Sequence, residues 1–179
     1  MSPTVRAAIA LLASAAALAA SACGASGGSG EPETTVPPVP AIDDAKDIRG
    51  ADPCALITPE QLAQAGLAGP GAPGQTPEGL PQCEWRGQNG SLLTLTFFLA
   101  PGALDTLAGN SEPTTARVRL QGYPALETFT ERGQYCQYDI GTAPDQVLIG
   151  AFTGGTPDSC TALQDVLAGV LGNLPRHQA

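Results

Sequence analysis

Residues 91–99 have the sequence SLLTLTFFL, in which apolar and polar side chains alternate through the centre. Successive side chains of a β-strand point to opposite faces of the sheet. One face of this segment therefore carries four large apolar residues, Leu93, Leu95, Phe97 and Leu99. The pattern predicts a strand that lies with this face against a hydrophobic core.

The segment before this strand is predicted to pair with it as a hairpin. Cys83 and Trp85 lie two residues apart and therefore share a face. A two-residue turn ending at Gly90 would pair Trp85 with Thr94 and turn the indole away from the core. A three-residue loop instead pairs Trp85 with Leu93, on the core face. We therefore expect the longer loop, with Gly90 in the left-handed conformation.

Three more strands and two main helices are predicted outside this hairpin. The strands comprise residues 117–120, 135–140 and 146–152, and residues 104–107 form a short helical connection. The first helix begins with a capping box at residues 58–61 and ends near Gly66. The last helix carries an apolar stripe at helical spacing, Leu163, Val166, Leu167, Val170 and Leu171. These elements predict an α+β domain, an antiparallel sheet of about four to five strands with helices on one face.

Four cysteines in this region predict two disulfides, because an even number is expected in an exported chain. Three pairings are possible, and the count alone leaves all of them open. Cys54 and Cys160 begin helical patterns, whereas Cys83 and Cys136 lie in predicted strands. Joining each helix to the strand nearest in sequence favours Cys54 with Cys83 and Cys136 with Cys160. A zinc site is disfavoured because no Cys-x-x-Cys pair occurs and His177 is the only histidine.

The first 22 residues are typical of a lipoprotein signal peptide. Arg6 precedes an apolar run over residues 7–20, and residues 20–23 (Ala-Ser-Ala-Cys) resemble the lipobox that is cleaved before its cysteine. The apolar run is shorter than the roughly 20 residues that a transmembrane helix needs. We therefore expect a lipid on Cys23, with an uncleaved membrane span or an ordinary secretory leader as the alternatives.

The rest of the chain is predicted to be a tether followed by one domain. Residues 23–50 are rich in Gly, Ser and Pro and are expected to be a flexible tether. Its acids Asp43, Asp44 and Asp47 are expected to form a solvated charge run, with calcium binding as the alternative. Residues 51–175 form the domain and residues 176–179 a tail. The protein is therefore expected on the extracytoplasmic face of the cell membrane, held there by its lipid.

Charge and motif content disfavour two classes of function. The net charge is −9 and Lys46 is the only lysine, so the basic patch that nucleic-acid binding requires is missing from the sequence. Outside the predicted tether there is no Gly-x-Ser-x-Gly motif, and the sequence has no Gly-x-x-x-x-Gly-Lys-Ser/Thr phosphate-binding loop. Asp52 and Asp158 stand at predicted helix starts, where carboxylates cap free amides. We therefore expect no catalytic residue, no cofactor and no metal.

The sequence resembles a family of actinobacterial lipoproteins, domain-of-unknown-function family 3558. The segments that carry the resemblance are residues 52–58 (DPCALIT), Cys83-Glu84-Trp85, residues 118–125 with Gly122 and Pro124, Cys136, and Asp158-Ser159-Cys160. The family often has Asp-Pro-Cys at both helix starts, whereas Ser159 replaces the second proline here. The resemblance implies a location in the cell envelope, and it brings no assigned activity.

The leading functional hypothesis is a non-catalytic module that binds or senses a ligand. Tyr123 and Phe129 are the candidate ligand contacts, because their segment contains Gly, Pro and Thr and is expected to be exposed. The ligand is an unidentified small molecule or envelope protein. The alternative is a scaffold or accessory subunit for another envelope protein, and a hydrolytic enzyme is the remote alternative.

Overall fold

The computed structural model describes residues 41–111, 114–130, 135–154 and 159–178. The predicted signal peptide, Cys23, the tether up to residue 40 and Asp158 lie outside the described residues. None of the helices in the four described ranges has the length and apolar content that a membrane crossing requires.

The described chain is mostly β, with three α-helices and one 3-10 turn. The strands are β1 (Ala72–Gln75), β2 (Pro81–Arg86), β3 (Leu92–Leu99), β4 (Thr115–Leu120), β5 (Tyr123–Phe129), β6 (Tyr135–Ala143) and β7 (Gln146–Thr153). The helices are α1 (Pro59–Gln64), α2 (Ala103–Gly109) and α3 (Ser159–Asn173), and the 3-10 turn covers Pro53–Ala55.

The strands form one antiparallel sheet in the order β1-β2-β3-β7-β6-β5-β4. The prediction of an antiparallel sheet with helices and two disulfides is confirmed, but the expected number of four to five strands is wrong. Over the described residues the sheet has seven strands. The two additional strands, β1 and β5, were not predicted from the sequence. β1 is exposed at every position and contains Pro73 and Gly74, so it has no alternating pattern. β5 contains Pro124, and proline ordinarily argues against an interior strand.

The hairpin of β2 and β3 has the predicted register. Trp85 pairs with Leu93 and Cys83 pairs with Leu95. Gly90 has a φ of 77°, the left-handed conformation that the longer loop requires. Leu93, Leu95 and Phe97 are buried on this face of β3, so matching of apolar faces identified the correct loop length. The expectation that Leu99 lies against the core is wrong, because Leu99 is the last residue of β3 and is 49% exposed.

The main core lies between one face of the sheet and the helices α1 and α3. The predicted stripe of α3 is confirmed, since its members Leu163, Val166, Leu167, Val170 and Leu171 are all buried. The α3 stripe packs against β6 and β7, and Leu167 leaves no space for a side chain at Gly150 of β7. We call this side of the sheet the α3 face.

The expectation that the helices lie on one face is wrong for α2. Leu104 of α2 packs with Leu126 and Val147, whose neighbours Ala125 and Leu148 belong to the main core. Because adjacent residues of a strand point to opposite faces, α2 lies on the side of the sheet opposite α3. We call that side the α2 face.

Tyr138 on β6 connects the sheet to α3. Its hydroxyl donates to Glu127 Oε1 on β5 and accepts from Gln164 Nε2 on α3. Burial raises the pKa of Tyr138 to about 12, and the hydrogen bond to Glu127 acts in the same direction. The phenol is therefore a neutral link between two elements of the main core.

The tether and the tail are shorter than predicted, because residues 45–50 and 176–177 belong to the domain. Ile48 is 1% exposed and lies in the main core. Its amide donates to Gln146 Oε1 at 2.7 Å, and the amide of His177 donates to the Ala45 carbonyl at 2.7 Å. The prediction of a tether up to residue 50 failed because isolated apolar residues such as Ile42 and Ile48 in a polar segment give no periodic signal.

The two disulfides join Cys54 to Cys83 and Cys136 to Cys160, the pairs that the sequence favoured. The first links the 3-10 turn to β2, and the second links β6 to α3. Both cross-links lie on the α3 face, where Cys83 and Cys136 are buried in the main core.

Candidate functional site

A concave, mainly apolar surface lies on the α3 face beside Trp85. It encloses a cavity of about 650 Å³ between α1 and the loop that leads to β1. The lining residues are Cys54, Ile57, Pro59, Leu62, Ala63, Leu67, Ala68, Gly69, Pro70, Gly71 and Trp85. We call this surface the Trp85 groove. Its volume falls in the range of about 300 to 1,000 Å³ that is typical of small-molecule sites.

One wall of the groove is α1, whose first and last residues are determined by capping signals in the sequence. Thr58 accepts from the amide of Gln61, whose side chain bonds back to the Thr58 amide, and Pro59 occupies the first turn. Gly66 follows the helix with a φ of 72°, which ends it after six residues. Because the capping box sets the first residue of α1, it also sets the position at which the buried side chain of Leu62 packs in the main core.

The opposite wall depends on the close approach of a glycine to the indole. A Cβ at Gly71 would lie 2.3 Å from Cys83 Sγ and 2.8 Å from Trp85 Nε1. Any larger residue would have to displace the disulfide or the indole, so Gly71 sets the depth of the groove.

The Cys54–Cys83 disulfide holds the floor in place. Cys54 lines the groove, and Asp52 accepts from the amide of Cys54 at 2.9 Å. The predicted capping role of Asp52 is therefore confirmed. The cross-link fixes the 3-10 turn against β2, the strand that carries Trp85.

The lining of the groove is apolar and uncharged. The side chains that line it carry no ionisable group, since Cys54 is held in a disulfide. The indole of Trp85 is almost fully buried and forms part of the wall, so the surface open to a ligand is supplied mainly by the aliphatic side chains. The groove can therefore desolvate an apolar group, and it offers neither a nucleophile nor a general base from its own lining.

The sequence anticipated a core position for Trp85, but it did not anticipate this groove. Trp85 is 1% exposed and also borders the cavity. The signal that could have pointed to the groove is the run Gly69-Pro70-Gly71, because small residues after a helix allow close backbone approach. The other walls come from parts of the chain that only the fold brings together.

The two candidate aromatics lie elsewhere. Tyr123 is only 8% exposed, so its expected exposure is wrong, and its hydroxyl donates to the Asp44 carbonyl at 2.6 Å. Burial raises the pKa of Tyr123. Phe129 is 41% exposed, as expected. Six residue steps along β5 separate them by about 20 Å, so they do not form one site.

Tyr123 borders a second cavity of about 430 Å³ near the N-terminal segment, with Asp43, Asp44 and Lys46 on its rim. Asp44 forms ion pairs with Lys46 at 3.1 Å and with Arg176 at 3.2 Å. In the described ranges, no group of three or more His, Cys, Asp or Glu side chains is placed to hold a metal ion.

A family model described as "Protein of unknown function (DUF3558)" matches residues 18–173. The chain belongs to this family. Searches of curated proteins and of solved structures found no match. The DUF3558 match includes the whole Trp85 groove and both disulfides.

Proposed function

We propose that this DUF3558 domain is a non-catalytic binding or sensing module that takes an apolar ligand, or the apolar part of a larger one, in the Trp85 groove. The observation that carries the proposal is the concave surface of about 650 Å³ with the indole in its wall. Pockets that bind small molecules are concave, mainly apolar and largely formed before the ligand arrives. The disulfide between Cys54 and Cys83 favours such a preformed surface.

The proposal includes a location outside the cytoplasm, with the protein held at the membrane by lipid on Cys23. The two disulfides support it, because disulfides persist mainly in oxidising compartments. A groove for apolar groups would then lie within a tether length of the bilayer, where apolar molecules are concentrated.

A scaffold or accessory subunit is the alternative, and the described surface favours it less. The exposed large hydrophobic residues of the described chain are Leu99 and Phe129. The pairing registers place them at opposite ends of the sheet, so they do not form the contiguous apolar patch typical of a docking surface. Hydrolysis is not proposed, because the groove lining lacks the groups that activate water.

The experiment uses the fact that Trp85 is the only tryptophan in the chain, so tryptophan fluorescence in the folded protein comes from the wall of the groove. The chain from residue 24 retains every described residue and needs no detergent. We expect a brominated fatty acid, whose bromine atoms quench an indole at short range, to quench Trp85 saturably. An unbrominated fatty acid should compete and restore the fluorescence.

Two matched variants test the position of the ligand. Ala63→Phe places a ring on the rim of the groove and should abolish the saturable quenching, whereas Ala116→Phe changes an exposed alanine of β4 and should leave it intact. Absence of saturable quenching in the unmodified chain, or equal quenching in both variants, would refute the groove as the ligand site.

A further inference from the structure

The α2 face of the sheet carries two rows of polar side chains with a low floor between them. The walls are Gln82, Glu84 and Arg86 on β2 and Tyr135, Gln137 and Asp139 on β6. The floor is Thr94 and Thr96 on β3 with Ile149 and Ala151 on β7. Cross-strand pairing aligns Glu84, Thr94, Ala151 and Gln137 in one line across the sheet. We call this surface the polar trough.

The first wall is ordered by its own hydrogen bonds. Gln82 Nε2 donates to Glu84 Oε1 at 2.8 Å, and Arg86 Nη2 donates to Glu84 Oε2 at 2.9 Å. Thr96 Oγ1 on the floor donates to Gln82 Oε1 at 3.4 Å. These contacts hold amide, carboxylate and guanidinium groups in fixed positions. Less side-chain entropy is therefore lost when a ligand binds.

The second wall is organised in the same way. The Tyr135 hydroxyl donates to Gln137 Oε1, and Gln137 Nε2 donates to Asp139 Oδ1 at 2.6 Å. Asp139 is 5% exposed, with Leu126 and Ile149 as its cross-strand neighbours. Burial raises the pKa of this carboxyl group to about 6. Leu126 belongs to the cluster under α2 and Ile149 packs against it, so Asp139 is covered by the fold and serves to hold Gln137 in place.

The dimensions of the polar trough suit a single extended polymer. Three strand spacings separate β2 from β6, which gives a width of about 14 Å between the wall backbones. Each wall covers four residue steps, or about 13 Å along the strands. In the described chain, α2 covers the end of the trough at Leu126, Val147 and Ile149. The line through Glu84 and Gln137 lies outside that cluster.

The charge and hydrogen-bonding pattern of the trough selects the ligand class. The charged groups that the walls present are the half-buried carboxylate of Glu84 and the exposed guanidinium of Arg86. The chain has a net charge of −9, which disfavours a polyanion. Amide and carboxylate oxygens accept hydrogen bonds, whereas amide and guanidinium nitrogens donate them. A hydroxyl group can satisfy both kinds of partner at once, and it carries no charge.

We propose that the polar trough binds a neutral carbohydrate chain, with Gln137 and Glu84 as contacts from opposite walls. This site lies on the side of the sheet opposite the Trp85 groove and is independent of it. An unfolded polypeptide is the other polymer that such a surface could accept, and the experiment distinguishes the two.

The test is affinity electrophoresis of the full chain, solubilised in a non-ionic detergent, through gels that contain dextran, mannan or galactan. We expect at least one polysaccharide to retard the protein. Gln137→Leu removes the hydrogen-bonding amide at similar size and should lower the affinity roughly tenfold, as expected for loss of a well-placed hydrogen-bonding group. Gln64→Leu makes the same change at an exposed position of α1 and should have no effect.

Further variants guard against a simple folding defect. Glu84→Gln keeps the shape of the other wall and should weaken binding several-fold even where Gln137→Leu fails to fold. Ala63→Phe, which fills the Trp85 groove, should bind carbohydrate as the unmodified chain does. The proposal is overturned by lack of retardation on all three polysaccharides, by unchanged affinity in the trough variants, or by retardation in casein gels alone, which would assign the trough to a polypeptide.

Discussion

Replacing Asp139 with Asn tests whether burial of the Asp139 carboxylate lowers the free energy of unfolding. Burial raises the pKa of Asp139 from its ordinary 3.8 to about 6, and the hydrogen bond from Gln137 only partly offsets this. Because the folded pKa lies above the unfolded one, the contribution of Asp139 to stability is complete below about pH 4. It is lost as the pH rises through 6.

The size of the effect follows from the two pKa values. A tenfold difference between acid constants corresponds to about 1.4 kcal/mol, so the ionised carboxylate lowers the free energy of unfolding by about 3 kcal/mol at pH 8. Asparagine stays neutral, and its Oδ1 can still accept from Gln137. We therefore expect Asp139→Asn to be more stable than the unmodified chain by about 3 kcal/mol at pH 8 and by about half as much at pH 5.

Urea unfolding followed by Trp85 fluorescence measures this difference. The slope of the free energy against urea should be unchanged by the substitution, which makes the midpoints directly comparable. Asp165→Asn, at an exposed position of α3, is the control and should change stability by less than about 0.5 kcal/mol at either pH. An equal effect of Asp139→Asn at pH 5 and pH 8, or a loss of stability at pH 8, would refute the desolvation argument.

Two other predictions concern the packing of the domain. Ile48→Ala should lower the free energy of unfolding by about 2 to 5 kcal/mol in the same urea assay, because Ile48 is 1% exposed in the main core. A cost below about 1 kcal/mol would instead mean that the tether extends to residue 50. Tyr138→Phe should cost about 1 to 3 kcal/mol, since Glu127 and Gln164 lose their common partner; a neutral result would show that both turn to solvent.

The parts of the fold that the sequence predicted are those fixed by short-range patterns. The alternation around Leu93 determined both the position of β3 and the loop at Gly90, because a slip of one residue would expose the whole apolar face. The stripe of α3 and the capping box at Thr58 were equally local signals. Each of these features depends on residues fewer than about ten positions apart.

The parts that failed depend on long-range packing. Pro124 argued against an interior strand at β5, but β5 pairs with β4 on one side and with β6 on the other. Leu104 predicted a short helix, but only the tertiary fold decides which face of the sheet α2 covers. The burial of Ile48 depends on residues that are distant in sequence, since its amide donates to Gln146 Oε1.

Neither candidate surface could be assembled from the sequence. The Trp85 groove combines α1, the Gly71 loop and β2, and the polar trough combines strands that are adjacent only through the order β2-β3-β7-β6. The alternating polar residues of β6 were available as a signal, since Tyr135, Gln137 and Asp139 lie two residues apart. Their opposite wall on β2 became apparent only from the strand order.

The two surfaces meet in β2, where consecutive residues serve opposite sides of the sheet. Cys83 and Trp85 lie on the α3 face, where Trp85 borders the groove, whereas Glu84 between them faces the trough. A shift of β2 by one residue would exchange these side chains and destroy both surfaces at once. The Cys54–Cys83 disulfide prevents such a shift, because it fixes Cys83 to the 3-10 turn on the α3 face. Its role therefore includes holding the register of β2 as well as stabilising the fold.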